Sequence, residues 1–279
     1  SSRRRHTRCS RDWSSDGALP ISTAVRPWLL TPAAIRKSGA AGVIALADQP
    51  EKSGNFVLTD TSTGARPITI GLLFHSLTSG NLGVGALTVA NMAIADRVAR
   101  EEGLDPTFVS IGMRDGDAPD VSGGRGESVV VERRTLLSRQ GLWRAFGRCD
   151  CVLDISGGDS FTDIYSGKRL FFMMATKAMV IARRVPLVLS PMTIGPFDRP
   201  RNQRLAGWIM NRARAVVARD DQSLAVAKKL APGAALTLAA DVAFELPFVD
   251  RSAQRADRHG SARLRVGINA SGLLFHRSE

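Results

Sequence analysis

The sequence predicts a doubly wound α/β domain on a parallel, Rossmann-like sheet. Three observations carry this. Between residues 67 and 240, short β-branched runs alternate with longer helical patterns. The runs are almost wholly apolar, as in strands buried on both faces beneath helices. Several runs end in Gly-rich or polar segments, at the carboxyl ends where ligands of such sheets bind.

The elements follow in order. Ile68–Phe74 is the first predicted strand. The helix after it spans Ala86–Glu102, with Leu87, Ala90, Met92, Ile94, Ala95 and Val98 recurring near helical spacing. Strands at Thr107–Ile111 and Val129–Val131 come next, then a helix over Thr135–Phe146. Cys151–Ile155 is the fourth strand, followed by a helix at Lys168–Arg183. Pro186–Ser190, Ala215–Ala218 and Leu236–Leu238 complete the strands, separated by helices at Arg201–Arg212 and Asp221–Leu230.

The flanks read differently. Residues 17–66 are broken by Pro20, Pro27, Pro32, Pro50 and Gly54, and are expected to form a weakly structured lead-in to the domain at 67–248. Residues 249–263 are polar and charged, like a linker. Residues 264–279 read as the first strand of a second domain, so the chain is expected to be truncated there. Residues 1–16, SSRRRHTRCSRDWSSD, show no hydrophobic period. They resemble a translated sequencing adapter and are expected to be disordered.

Composition narrows the function classes. The 279 residues are 44% hydrophobic and 23% charged, which supports a buried core and argues against wholesale disorder. There is no run of about 18 apolar residues and no secretory apolar segment behind the basic N-terminus. The expected location is the cytoplasm or the inner face of its membrane. Net charge is +12, but the first 16 residues carry five Arg and two Asp, leaving +9 for the rest. With one Tyr, no aromatic platform and no recognised motif, specific nucleic-acid binding is not expected. A basic surface can still draw small anions or an anionic membrane. Cys149 and Cys151 lack a second ligand pair at metal spacing. They read as buried thiols on one face of a strand, and no metal is implied.

Four loops at strand ends carry the chemistry. Ser79–Gly85 follows the first strand; it is either a tight strand-to-helix turn or a loop whose glycines allow backbone N–H groups to approach an anion at a helix start. The spacing is not that of a dinucleotide fingerprint, so NAD is not implied. His75, just before it, is either a titrating group or a hydrogen-bonded structural histidine. Asp154–Asp163 holds Gly157 and Gly158, suited to close backbone contact. Asp159 there is either a ligand contact or a helix cap. Ser190–Phe197 is a stiff loop with two prolines around Gly195. Arg219 follows the sixth strand; it either grips an anion with its fork or pairs with Asp220 or Asp221.

Together these segments resemble the polysaccharide pyruvyl transferase family. The resemblance covers about residues 68–274 and rests on an ordered set of motifs. They are Asn81-x-Gly83, Ser156-Gly157-Gly158, Thr193-Ile194-Gly195-Pro196, Arg219-Asp220-x-x-Ser223, Asp241 before Phe244, and Gly267-Ile268-Asn269-x-Ser271-Gly272. One departure stands out: the family's first loop often reads Asn-x-Gly-Asp, and Val84 holds the Asp position here.

The resemblance implies a two-domain, glycosyltransferase-B-like architecture of which this chain holds the first domain. It implies transfer of pyruvate from phosphoenolpyruvate to a sugar of a surface polysaccharide or its precursor, forming a ketal. No cofactor is implied. The acceptor would be a nucleotide- or lipid-linked sugar, with association at a membrane surface. Asp159 and His75 are the acid–base candidates. Asn81, Gly83, Gly157, Gly158, Thr193, Gly195, Arg219, Asp220, Asn269 and Ser271 are the substrate-binding candidates. The alternatives are a sugar-nucleotide-dependent glycosyltransferase and a non-catalytic sugar- or nucleotide-binding protein.

Overall fold

A computed structural model describes residues 64–78, 81–113 and 127–246, together with Val249 and Ile268. The predicted tail at 1–16, most of the lead-in, nearly all of the linker and nearly all of the last strand lie outside the described residues. The chain divides into two compact units, Ser1–Leu246 and Pro247–Glu279; the description below concerns the first.

Among the described residues, seven strands form one sheet: β1 (Arg66–Leu73), β2 (Leu104–Gly112), β3 (Glu127–Val130), β4 (Cys151–Asp154), β5 (Leu187–Met192), β6 (Ala215–Ala218) and β7 (Leu236–Leu238). Every pairing is parallel, in the order β3-β2-β1-β4-β5-β6-β7. The chain starts in the middle, winds outward to β3, then crosses to β4 and winds the other way. This is the expected doubly wound, Rossmann-like fold. All seven predicted strands are present.

Alternation along each strand splits the core into two layers. Ile68, Ile70 and Leu72 of β1, with Leu153 and Val217, face one side. There they meet Ala90, Ile94, Ala95 and Val98 of α1 (Leu82–Glu101). By length and composition α1 could cross a membrane, but these residues bury it against the sheet. Leu73, Val152, Leu189 and Val216 face the other side. That layer is covered by α3 (Leu142–Arg148), α4 (Gly167–Ala182) and α5 (Pro200–Arg212), with α6 (Asp221–Leu230) beside them.

Two local expectations are corrected. The single helix expected over Thr135–Phe146 is two helices, α2 (Arg133–Leu137) and α3. Ser138 takes an extended conformation, and the chain turns back until Gly141 lies against Thr135. A Cβ at Gly141 would overlap the Thr135 backbone, so a side chain there is incompatible with this turn. Cys149 and Cys151 do not share a face. Cys149 is the residue that ends α3 and packs in the α3–α4 layer, whereas Cys151 begins β4 and packs toward α1. Strand parity does not reach across a helix end. Both thiols are buried outside any disulfide.

Candidate functional site

The winding direction reverses between β1 and β4, so their following loops diverge and open a crevice at the carboxyl edge. A cleft of about 520 Å3 occupies that place. One wall is the start of α1, with Asn81, Gly83, Val84 and Leu87. The facing wall is the β4 loop, with Gly157, Gly158 and Asp159. Arg219, Asp241 and Phe244 close a third side.

The β4 loop reverses sharply over three left-handed residues: Ser156 at φ 46°, Gly157 at 63° and Gly158 at 93°. Such φ values strain any residue with a Cβ, and glycine carries two of the three. Gly158 is also pressed against α1, where an added Cβ would lie 2.7 Å from Leu87 Cδ1. The strained Ser156 is held from below. Its N–H donates to Asp154 Oδ1 at 2.6 Å, and its hydroxyl accepts from Lys177 Nζ at 2.8 Å. Lys177 and Asp154 pair at 2.6 Å with both side chains fully buried. The ammonium also lies over the rings of Phe74 and Phe161. Burial lowers the Lys177 pKa, against the opposing pull of Asp154.

Arg219 leaves the end of β6 and is fixed on two sides. Its Nε donates to Thr193 Oγ1 at 2.9 Å, and Nη1 donates to Asp241 Oδ2 at 2.8 Å. Asp241 is itself oriented by accepting the Ala243 N–H. The guanidinium stands beside Gly158, with Nη1 3.8 Å from where a Cβ would be. Of the ion-pair partners expected from the sequence, Asp220 and Asp221, neither is used. Asp220 instead caps α6 by accepting the Ser223 N–H at 2.7 Å. Thr193 serves as the support of Arg219. Gly195, at φ 74° and joined to Pro196 by a cis peptide, packs on Val226 and Phe197.

Asp159 stands on the cleft wall and caps no helix. It accepts the Tyr165 hydroxyl at 2.6 Å and the Ser160 hydroxyl at 3.2 Å. The bond to this carboxylate raises the Tyr165 pKa. Asp163 is the structural acid of the loop: it accepts Asp198 N–H, Arg199 N–H and Asn202 Nδ2 and so anchors the start of α5.

His75 is a core histidine. It is 1% exposed and does not line the cleft. Nδ1 donates to the Leu73 carbonyl at 3.1 Å, leaving Nε2 to accept from Asn91 Nδ2 at 2.8 Å. Burial drives its pKa down to about 3, outweighing the backbone bond. Of the two readings left open by the sequence, the geometry is that of the hydrogen-bonded structural one. Asn269 and Ser271 lie outside the described residues. Among the described residues no three His, Cys, Asp or Glu side chains converge as a metal group would need.

The cleft therefore joins Asn81, Gly83, Gly157, Gly158, Asp159 and Arg219 from segments far apart in the chain. The family model of polysaccharide pyruvyl transferases matches residues 81–274, a span that holds all of them. This chain belongs to that family. A comparison with curated proteins found no match.

Within this pyruvyl transferase family fold, Val84 lies on the cleft wall, so the departure from Asn-x-Gly-Asp falls inside the site. The carboxylates present are Asp159 and Asp241, on the other walls. Sequence reasoning did not single out Lys177. A lone Lys in the apolar run Met173–Ala182 was the available signal, since a buried cation needs a buried partner. Tyr165 was also missed; the one tyrosine of the chain carries no pattern that would reveal its bond to Asp159.

Proposed function

We propose that the cleft binds phosphoenolpyruvate and transfers its pyruvyl group to a sugar bearing two neighbouring hydroxyls. The observation that carries this reading is the convergence of Arg219 with the start of α1 on one small cleft. The helix N-terminus places a partial positive charge there, with no acidic residue in its first turn. A fork and a helix end suit the carboxylate and phosphate of one small dianion.

The chemistry balances through Asp159. Its carboxylate accepts the proton of the first sugar hydroxyl while that oxygen adds to C2 of the enol. The same proton passes to C3, which becomes the methyl group. The second hydroxyl then displaces phosphate at C2, and its proton leaves with the phosphate. The products are the cyclic ketal and inorganic phosphate. Arg219 and the α1 N-terminus stabilise the charge that gathers on carboxylate and phosphate in the transition state. Tyr165 and Ser160 orient Asp159 for the first transfer. His75 takes no part in this scheme, because it is buried and neutral outside the cleft.

The test is phosphate release from phosphoenolpyruvate in the presence of sugar acceptors, with the acceptor mass followed for the ketal. Release coupled to that mass gain is the expected result. Consumption of a sugar nucleotide with phosphoenolpyruvate untouched would replace this reading with a glycosyltransferase. Saturable binding of either molecule without turnover would replace it with a binding protein, as the loss of an Asp at Val84 allows.

A further inference from the structure

A second cavity, of about 840 Å3, lies between α2, the end of β2 and the first turns of α4. Its interior is apolar, with Met113, Val131 and Leu136. Its rim carries two large side chains that are mostly in water, Leu137 at 74% exposure and Phe171 at 59%. Arg133, Lys168 and Arg169 line the same cavity against one carboxylate, Glu132. Neither Arg133 nor Lys168 forms an ion pair with any described residue.

The charges sit where the fold does not favour them. Lys168 and Arg169 occupy the first turn of α4, a 16-residue helix with no acid in that turn. The helix dipole already makes that end positive. The cations therefore raise a local potential that an anionic partner relieves. Exposed apolar side chains between cations mark the interfacial type of surface, in which hydrocarbon enters the acyl boundary while Lys and Arg meet phosphates. A polyanion without hydrocarbon would leave Leu137 and Phe171 in water.

We propose that this cavity and its rim dock the protein on an anionic phospholipid bilayer. Leu137 and Phe171 enter the interface, and Arg133, Lys168 and Arg169 contact the headgroup phosphates. The docking face adjoins the cleft: Arg169 lies over the Tyr165 ring, 5.8 Å from its centroid, and Tyr165 bonds Asp159. The inference stands without the proposed chemistry, because lipid binding is read without any turnover.

The experiment is co-sedimentation of the full chain with vesicles of phosphatidylcholine, with and without about one-third phosphatidylglycerol. Binding is expected only to the anionic vesicles. Arg133→Glu with Lys168→Glu is expected to weaken it at least about tenfold, and Leu137→Ser with Phe171→Ser is expected to do the same. Arg201→Glu with Arg204→Glu on α5 makes the same change in net charge and keeps the basic N-terminus. It is expected to weaken binding clearly less than the rim variants do. Circular dichroism melting of each variant separates loss of docking from loss of fold. Absence of vesicle binding by the parent chain overturns the proposal. So does equal weakening by the α5 control, which would assign binding to net charge. A dimer that is lost on Leu137→Ser with Phe171→Ser, without lipid binding, would assign the face to a second copy instead.

Discussion

Lys177 Nζ and the Asp154 carboxylate meet at 2.6 Å directly beneath the cleft loop, and both side chains are fully buried. Each also bonds Ser156, the one residue of the left-handed turn that is not glycine. The pair thus ties β4, α4 and the glycine loop into one unit. Its net contribution to stability is set by desolvation as much as by attraction.

Breaking that pair on one side leaves a buried charge alone. Lys177→Met is expected to lose about 3–5 kcal/mol in urea unfolding. Lys177→Met combined with Asp154→Asn is expected to recover part of that loss, because no ion is left unpaired. A double variant that loses the sum of the two single losses would show that the residues act independently.

Arg219→Lys tests whether the site needs the guanidinium fork rather than a single positive charge. The guanidinium holds Thr193 and Asp241 with two different nitrogens, which a single ammonium cannot reproduce. Under the proposed function, both Arg219→Lys and Arg219→Ala are expected to cut kcat/KM for phosphoenolpyruvate by about a hundredfold, a loss of roughly 2.7 kcal/mol in transition-state stabilisation. Near-normal turnover in both variants, measured by phosphate release, would make Arg219 a purely structural link to Asp241.

Two glycines near the cleft are expected to respond in opposite directions to alanine. Gly158→Ala sets a Cβ at φ 93° and 2.7 Å from Leu87 Cδ1, and is expected to cost about 1–3 kcal/mol. Gly85→Ala in α1 meets nothing within 4 Å and is expected to gain about 0.5–1 kcal/mol from helix propensity. Thermal melting of both variants checks the contrast.

His75 makes the fold sensitive to acid. Its folded pKa of about 3 lies below its ordinary value of 6.5. Between those values the unfolded chain binds a proton that the native fold excludes, so stability is complete above pH 6.5 and falls as pH drops toward 3. The slope from this one group approaches about 1.4 kcal/mol per pH unit. His75→Gln, which can still bond Asn91, is expected to flatten the unfolding free energy across that window relative to the parent. An unchanged slope would mean that His75 is not the group responsible.

The alternation of apolar runs and helical patterns was enough to place all seven strands and the parallel sheet, because burial on both faces forces near-continuous apolar segments. The carboxyl-end rule then pointed to the loops that hold Gly157, Gly158 and Arg219. What the residues could not decide by themselves was which polar groups meet. The Arg219–Asp241 pair spans 22 positions and Lys177–Ser156 spans 21, and no local period encodes either. His75 and Asp159 were both legible as polar residues at strand ends. Only the packing of α1 over β1 put His75 in the core, while the three-residue reversal at Ser156 turned Asp159 out onto the cleft wall. Periodicity is a property of the chain and can be read along it; desolvation and pairing depend on what the fold brings alongside, and exist only once the layers close.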